Sequence, residues 1–144
     1  MRYALHETVL GTVVVLGDDD AICGLYFADG RRPAYEHLAR ATFPAVAAQL
    51  DEYLAGARRA FDLPLRPAGT PFQQRMWTAL LDVPYGETRT YAQLARALGT
   101  GARAVGLANG RNPLSIVVPC HRLVGTGGAL TGYGGGLHRK RALL

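Results

Sequence analysis

Late in the chain, a short apolar run is followed at once by a thiol, an imidazole and a guanidinium. The stretch runs from Ile116 to Gly125 and contains Pro119-Cys120-His121-Arg122. Its β-branched residues predict a short buried strand or extended segment, and Pro119 fixes φ just before the thiol. The pattern therefore predicts a cysteine that is held rigidly at the end of a buried segment.

A thiol in this position is a candidate nucleophile. The thiolate is the reactive form, and it needs a base or positive surroundings, which His121 and Arg122 can supply. In an extended chain, neighbouring side chains point to opposite faces. We therefore expect His121 to take the Cys120 proton through a water molecule. The alternative for an isolated Cys-His pair is a structural cysteine beside a surface histidine.

The charge of the chain is unevenly distributed. Residues 1–70 carry 7 Arg against 9 Asp and Glu, a net charge of −2. Residues 71–144 carry 8 Arg and one Lys against Asp82 and Glu87, a net charge of +7. A basic half that also holds the thiol suggests a polyanionic partner, and a solvated basic surface is the alternative.

The sequence indicates no membrane segment and no secretory signal, so we expect a soluble, cytoplasmic protein. Cys23 and Cys120 are far apart and fit neither a disulfide framework nor a clustered metal motif. His6, His37 and Cys23 lack the compact spacing of metal ligands. The sequence therefore predicts no metal site.

The expected fold class is α+β, with an N-terminal domain of residues 1–66. Strands are predicted at 2–7, 11–16 and 21–27, forming a three-stranded antiparallel sheet. A helix over Pro44–Leu54, with proline at its first position, would cover this sheet. Phe61–Leu65 is predicted as an edge strand, because Pro64 cannot donate to a ladder.

The C-terminal domain, residues 67–144, is predicted to be mainly helical. A capping box at Thr70 opens a helix that buries Phe72, Met76, Trp77 and Leu80. Helices over Tyr91–Leu98 and Ala102–Asn109, separated by Gly99-Thr100-Gly101, have a helix-turn-helix pattern. The second of these helices offers small residues and one arginine, which suits close approach to a minor groove without sequence preference.

The thiol motif and its surroundings resemble the O6-alkylguanine-DNA alkyltransferase family, the methylated-DNA–protein-cysteine methyltransferases. The likeness covers about residues 70–144, and the N-terminal half matches only in general layout. The segments that carry it are Pro84–Thr88, Arg103–Gly106, Asn112-Pro113, Pro119–Arg122, Gly127-Gly128 and Gly132–Leu137. The resemblance implies a ribonuclease H-like N-terminal lobe and a DNA-binding C-terminal domain.

The resemblance also implies a reaction. The target guanine is rotated out of double-stranded DNA into a pocket, and the Cys120 thiolate takes the alkyl group from O6. The product is a thioether, so each molecule acts once, without a cofactor and as a monomer. The alternative is a non-catalytic, alkyltransferase-like lesion-binding protein. A helix-turn-helix transcription regulator is a third hypothesis, and it would require sequence preference.

The same resemblance assigns roles to individual residues. Tyr91 would crowd the rotated phosphate, Arg103 would fill the gap in the base stack, and Asn112 would bridge its helix to the thiol segment. Tyr133 would line the alkyl pocket, and the Gly134 N–H would bond the guanine O6. The catalytic set is Cys120, His121 and Asn112, and the DNA and substrate set is Tyr91, Arg103, Ala104, Gly106, Arg111, Leu123, Tyr133 and Gly134.

One feature departs from the family pattern. Family members continue past the position of Leu144 with a segment that ends in a glutamate, which orients the histidine in a relay. The printed sequence ends at Leu144. Without that carboxylate His121 would be less basic and less well placed, so this departure predicts weaker alkyl transfer.

Overall fold

The N-terminal half is built on a mixed sheet. The computed structural model describes residues 1–144, and its first strands are β1 (Arg2–Thr8), β2 (Gly11–Gly17) and β3 (Ile22–Phe27). These three strands form the predicted antiparallel meander. A fourth strand, β4 (Ala39–Arg40), pairs in parallel with β1, giving the order β3-β2-β1-β4.

The prediction of a three-stranded sheet was therefore wrong by one strand. β4 pairs only Ala39 with Arg2 and Arg40 with Tyr3. Two residues are too few to produce the alternation of apolar and polar side chains from which strands are predicted. One further backbone hydrogen bond joins the chain after β4 to β1, from the Ala41 N–H to the Tyr3 carbonyl at 2.8 Å.

Helix α1 (Pro44–Leu54) has the predicted bounds and buries Val46, Leu50 and Tyr53. The segment after it was predicted as an edge strand over Phe61–Leu65. It forms one parallel bridge instead, between Ile22 and Leu65. The Ile22 N–H donates to the Pro64 carbonyl at 2.9 Å, so proline accepts here but cannot extend a ladder.

The C-terminal half contains four helices: α2 (Pro71–Leu81), α3 (Tyr91–Leu98), α4 (Ala102–Gly110) and α5 (Leu137–Leu143). The predicted capping box is present at α2, where the Thr70 and Gln73 side chains bond each other's backbone N–H. Trp77 ties α2 to α4 through a bond from Nε1 to the Ala108 carbonyl at 2.9 Å. Two short strands, β5 (Arg89–Thr90) and β6 (Leu123–Val124), pair in parallel.

The segment that carries the thiol is irregular. Residues 116–118 are buried as predicted, but they form turns, so the prediction of a strand or extended segment was wrong. Ile116 has φ +72, and the Cys120 N–H bonds the Val118 carbonyl at 2.7 Å. Cys120–Arg122 then form one turn of 3-10 helix. Hydrogen bonds to a buried side chain, described below, replace those of a strand.

One hydrophobic core serves both halves. Its 21 buried residues include Leu25 and Phe27 from the sheet, Leu50 from α1, and Trp77 and Leu114 from the C-terminal half. The halves also share backbone bonds, since the Leu25 N–H donates to the Pro113 carbonyl at 2.8 Å and the Ser115 N–H to the Leu25 carbonyl at 3.0 Å. The fold is therefore α+β around a common core. None of its helices is long and apolar enough to cross a membrane.

Candidate active site

A cleft of about 600 Å³ opens between the two halves, and the Cys120 thiol lies in its wall. Cys120 is only 5% exposed. Basic side chains from both halves, Arg31, Arg32 and Arg111, line the same cleft. The thiol is therefore buried yet reachable from a positively charged opening. Seven of the sequence-predicted residues line the cleft: Tyr91, Gly106, Arg111, Asn112, Cys120, Tyr133 and Gly134.

Asn112 holds the thiol segment in its irregular course. Its amide Nδ2 donates to the Val118 carbonyl at 2.9 Å and to the Leu114 carbonyl at 3.4 Å, and its Oδ1 accepts from the Leu114 N–H at 3.0 Å. A buried backbone group without a partner is costly. One amide side chain thus satisfies backbone groups on both sides of Ile116, which allows a buried segment to turn without ladder bonds.

The groups around Cys120 act on the pKa of its thiol in opposite directions. Burial raises the pKa of the thiol above its ordinary value, whereas contact with the Asn112 amide and the positive charge of Lys140 act in the opposite direction. Removing an ion from water is expensive unless neighbouring groups compensate. The site therefore contains groups that would stabilise a thiolate, inside buried surroundings that disfavour one.

Lys140 is a fully buried cation. Its Nζ donates to the carbonyls of Leu123 at 2.6 Å, Thr131 at 2.8 Å and Gly132 at 3.3 Å. No carboxylate pairs with it. Burial lowers the Lys140 pKa, and the charge of Cys120 acts to raise it. Lys140 thus anchors the chain after the thiol to the loop that faces it, and its charge is available to the sulfur.

His121 lies beside Cys120 in sequence but outside the cleft. It is fully buried, and neither ring nitrogen has a hydrogen-bond partner in the protein. Burial, followed by the charges of Arg122 and Lys140, lowers its pKa to about 3. As predicted, the imidazole makes no direct bond to the sulfur, although the intervening backbone is a 3-10 turn. His121 is therefore neutral at physiological pH.

Two tyrosines, Tyr91 and Tyr133, also line the cleft. Burial and the charge of Cys120 raise the pKa of Tyr133 well above its ordinary value, so its hydroxyl stays protonated. The Tyr91 hydroxyl, at the start of α3, donates to the Thr131 carbonyl at 3.3 Å. A Cβ on Gly106 would lie 3.7 Å from the Tyr91 ring, so a small residue in α4 leaves room for this ring.

Comparison with known proteins assigns the chain to a family. Residues 71–144 match the family model described as "6-O-methylguanine DNA methyltransferase, DNA binding domain", and residues 1–67 match the one described as "ribonuclease-like domain". The chain belongs to the 6-O-methylguanine DNA methyltransferase family.

Individual relatives agree with this assignment. A methylated-DNA–protein-cysteine methyltransferase of Methanosarcina acetivorans is 43% identical and covers 100% of the chain and 96% of the relative. The Mycobacterium tuberculosis protein of the same description is 44% identical over 100% of the chain and 90% of its own length. Among solved structures, Mycobacterium tuberculosis OGT in complex with DNA superposes with a TM-score of 0.95 at 44% identity, covering 100% and 91% of the two chains.

Besides His121, three sequence-predicted residues of this 6-O-methylguanine DNA methyltransferase family member lie outside the cleft lining. Arg103 is exposed and Ala104 half-buried, both in the first turns of α4. Leu123 is fully buried, and its carbonyl accepts from Lys140. Arg103 is thus on the outer surface of α4, whereas Gly106, later in the helix, and Arg111, directly after it, line the cleft.

The sequence analysis of this family member missed five arginine, lysine, asparagine and serine residues at the site, four of which line the cleft. Asn109 and Ser115 lie between the motifs from which the site residues were predicted. Arg31 and Arg32 come from the N-terminal half, in which the sequence predicted no site residues, and Lys140 belongs to a run of basic residues typical of a surface helix. The missed residues are Arg31, Arg32, Asn109, Ser115 and Lys140.

Proposed function

We propose that this chain is a DNA repair alkyltransferase that moves the alkyl group of O6-alkylguanine in double-stranded DNA irreversibly to Cys120. Membership of the 6-O-methylguanine DNA methyltransferase family supports this activity. The observation that carries the proposal is a buried thiol opening into a cleft whose mouth bears arginines. Such a cleft suits a polyanion from which one base must be brought to a sulfur.

The DNA contact is assigned to α3 and α4, which we propose to act as a helix-turn-helix. Gly99, with φ +68, ends α3 in the left-handed conformation that favours glycine. The residues proposed to approach the minor groove are Arg103, Ala104 and Gly106, with Arg111 on a phosphate. Small side chains permit close approach of the helix, and arginines neutralise phosphates without reading sequence.

Base flipping follows from the depth of the sulfur. A thiol that is 5% exposed cannot reach O6 of a guanine that stays stacked in a duplex, so the nucleotide must enter the cleft. We assign Arg103 to the gap left in the base stack and Tyr91 to the rotated phosphate. The Gly134 N–H, on a loop without bulky side chains, is proposed to donate to the guanine O6.

The proposed reaction is an in-line displacement. Cys120 loses its proton, the sulfur forms a bond to the alkyl carbon, and the bond between that carbon and O6 breaks with its electron pair on guanine. A proton returned to the purine gives neutral guanine and a thioether. No resident metal or organic cofactor takes part in this balance, and the thioether has no easy return path.

Protein groups divide the remaining tasks. We assign the Asn112 amide and the Lys140 charge to stabilisation of the thiolate. His121 is proposed to relay the Cys120 proton through a water molecule toward the purine rather than to hold it, because burial lowers its pKa to about 3. The phenol of Tyr133, which stays protonated, and its ring form the wall for the alkyl group. Leu123 is assigned an indirect part, because its carbonyl fixes the Lys140 ammonium.

We further propose two domains, residues 1–66 and 67–144, in a monomer that works in the cytoplasm. A reducing compartment would keep the Cys120 thiol free for its single reaction. The shared core supports a pair of domains that fold together rather than independently.

The deciding experiment is incubation with an excess of duplex oligonucleotide containing O6-methylguanine, followed by intact mass measurement and peptide mapping. The expected result is a mass gain of one methyl group, located on Cys120. Tight binding to the lesion with an unmodified thiol would instead identify a non-catalytic lesion-binding protein. Equal affinity for unrelated duplexes is expected, and a strong sequence preference would favour a transcription regulator.

A further inference from the structure

Two segments from opposite halves pack backbone against backbone beside the thiol. One is the turn after β3, residues 27–32, and the other is the cleft loop, residues 131–136. The Arg31 N–H donates to the Gly134 carbonyl at 3.3 Å. A Cβ on Gly30 would come within 2.7 Å of that carbonyl, and one on Gly135 within 2.5 Å of the Phe27 ring. No side chain fits at these contacts, so the position of the cleft loop depends on the N-terminal half.

Arg139 connects the same two segments from behind. Its side chain is only 8% exposed. The two guanidinium Nη atoms donate to both carboxylate oxygens of Asp29, at 2.5 and 3.0 Å. One of them also donates to the Gly135 carbonyl at 3.1 Å, and Nε donates to the Leu10 carbonyl at 2.7 Å. The guanidinium further lies 4.3 Å from the centre of the Phe27 ring.

This ion pair is the only one that joins the two halves. The other six pairs each join residues within one half. A bidentate arginine–carboxylate pair fixes orientation as well as distance. Neither Asp29 nor Arg139 lines the cleft, so any effect on the reaction must pass through the cleft loop that Arg139 holds.

We propose that Asp29 and Arg139 are positioning residues that hold the cleft loop against the N-terminal half and thereby restrict the alkyl groups that Cys120 can accept. This inference rests on the proposed function. Tyr133 and the Gly134 N–H belong to the loop. A loop that is already in position keeps the alkyl carbon and O6 in line with the sulfur, so the displacement step at saturating DNA does not include the cost of ordering the loop. The transfer of a methyl group, which contacts only the nearest wall, depends most on the position of this loop.

A larger alkyl group depends on it less. A benzyl group fills more of the cleft, and it can retain contact with Tyr133 after a small displacement of the loop. Loosening the loop should therefore slow methyl transfer more than benzyl transfer. A general loss of folding would slow both reactions alike, which separates a positioning role from a merely structural one.

The test compares Asp29→Ala with Asp18→Ala. Asp18 pairs with Arg66 at 2.8 Å in the same half and lies outside the cleft lining, so it controls for loss of an ion pair. Single-turnover rates are measured against the concentration of duplexes containing O6-methylguanine or O6-benzylguanine. For Asp29→Ala we expect the saturating rate for methyl transfer to fall about tenfold and that for benzyl about twofold to threefold. Asp29→Glu should restore much of the loss, and Asp18→Ala should match the wild type.

A second measurement needs no substrate. Hydrogen exchange of the amides in residues 131–136 reports local opening of the loop. Asp29→Ala should exchange faster there than Asp18→Ala, with both variants protected equally in α2. Equal exchange in the two variants would show that the Asp29–Arg139 pair does not hold the loop, whatever the activity. If the loop opens but the rates of methyl and benzyl transfer fall by the same factor, the proposal that the pair restricts the alkyl groups accepted by Cys120 is wrong. A wild type that never gains an alkyl group refutes the proposed function instead. The exchange result still tests whether the Asp29–Arg139 pair holds the loop.

Discussion

The two halves of the molecule differ in charge, regularity and chemistry, yet they share one core and one cleft. The N-terminal half has a net charge of −2 over residues 1–70, and its sheet and helix follow plain periodic patterns. The C-terminal half, with a net charge of +7 over residues 71–144, carries the sulfur on an irregular segment. The comparison teaches that the chemistry belongs to one half, whereas the geometry of the site depends on both.

The two cysteines give the largest test of this division, since each half holds one. Cys120 lines the cleft, while Cys23 is half-buried in β3 and bonds the Leu16 carbonyl at 3.6 Å. Cys120→Ala should abolish alkyl transfer completely, because no other thiol reaches the cleft. Cys23→Ala should transfer as the wild type does. Intact mass after incubation with an O6-methylguanine duplex measures both, and an adduct on the Cys120→Ala variant would break the comparison.

The histidines provide a second pair, tested through stability. In the folded protein burial lowers the pKa of His121 to about 3, whereas an unfolded histidine has a pKa of about 6.5. Protonation therefore favours unfolding. The stabilisation is fully present above about pH 6.5, and it is lost progressively as the pH falls from there toward 3.

Between about pH 7.5 and pH 5 this single group should remove about 2 kcal/mol from the free energy of unfolding. Urea unfolding at the two pH values measures the loss, and the His121→Phe variant should lose about 2 kcal/mol less than the wild type. The control is His6→Gln, which removes an imidazole that bonds Asp51 at 2.9 Å near the surface. An unchanged pH dependence in His121→Phe would show that the imidazole is protonated in the folded protein.

The sequence predicted most of the regular structure, because local patterns decide it. The helices α1 and α3 have the predicted bounds, and the capping residues Thr70 and Gly99 mark the ends that they were expected to mark. The prediction failed where a side chain replaces backbone partners. Asn112 supplies the bonds that a strand at 116–118 would have made, and no periodicity in the sequence reveals that exchange.

The candidate site was predictable to a similar extent. Motifs near Cys120 identified most residues of its own half that line the cleft, and charge asymmetry indicated the basic side. Lys140 was not predicted because a run of basic residues normally lies on a solvated helix face. Its burial depends on three carbonyls that only the fold brings together. Asp29 and Arg31 were not predicted because they belong to the other half. Only the fold brings Arg31 to the cleft and Asp29 to Arg139.

The third prediction compares exposed arginines. Arg103 in α4 is proposed to fill the base stack, and Arg40 in β4 is equally exposed but belongs to the sheet. Arg103→Ala should weaken binding to a lesion duplex about tenfold, or about 1.4 kcal/mol, and binding to an intact duplex less. Arg40→Ala should change neither. Fluorescence anisotropy with both duplexes measures the effect, and equal losses on the two duplexes would reduce Arg103 to a phosphate contact.

The smallest expected effect concerns exposed apolar side chains. Leu107 is 64% exposed on α4, one helical turn after Arg103 and one before Arg111, and Val9 is 84% exposed in the turn between β1 and β2. Apolar side chains that enter a minor groove contact sugars and base edges. If α4 lies in that groove, Leu107→Ala should weaken duplex binding about threefold, or about 0.7 kcal/mol, and Val9→Ala should not.

Salt dependence separates this contact from those of the arginines. Removing a phosphate-neutralising arginine lowers the slope of log affinity against log salt by about one, because one fewer counterion is released. Leucine releases none, so Leu107→Ala should shift the line without changing its slope, whereas Arg111→Ala, which removes the proposed phosphate contact, should change both. Should Leu107→Ala leave affinity unaltered at every salt concentration, the outer face of α4 would not contact DNA, and the boundary of the DNA-binding surface would have to be redrawn around Arg31 and Arg111.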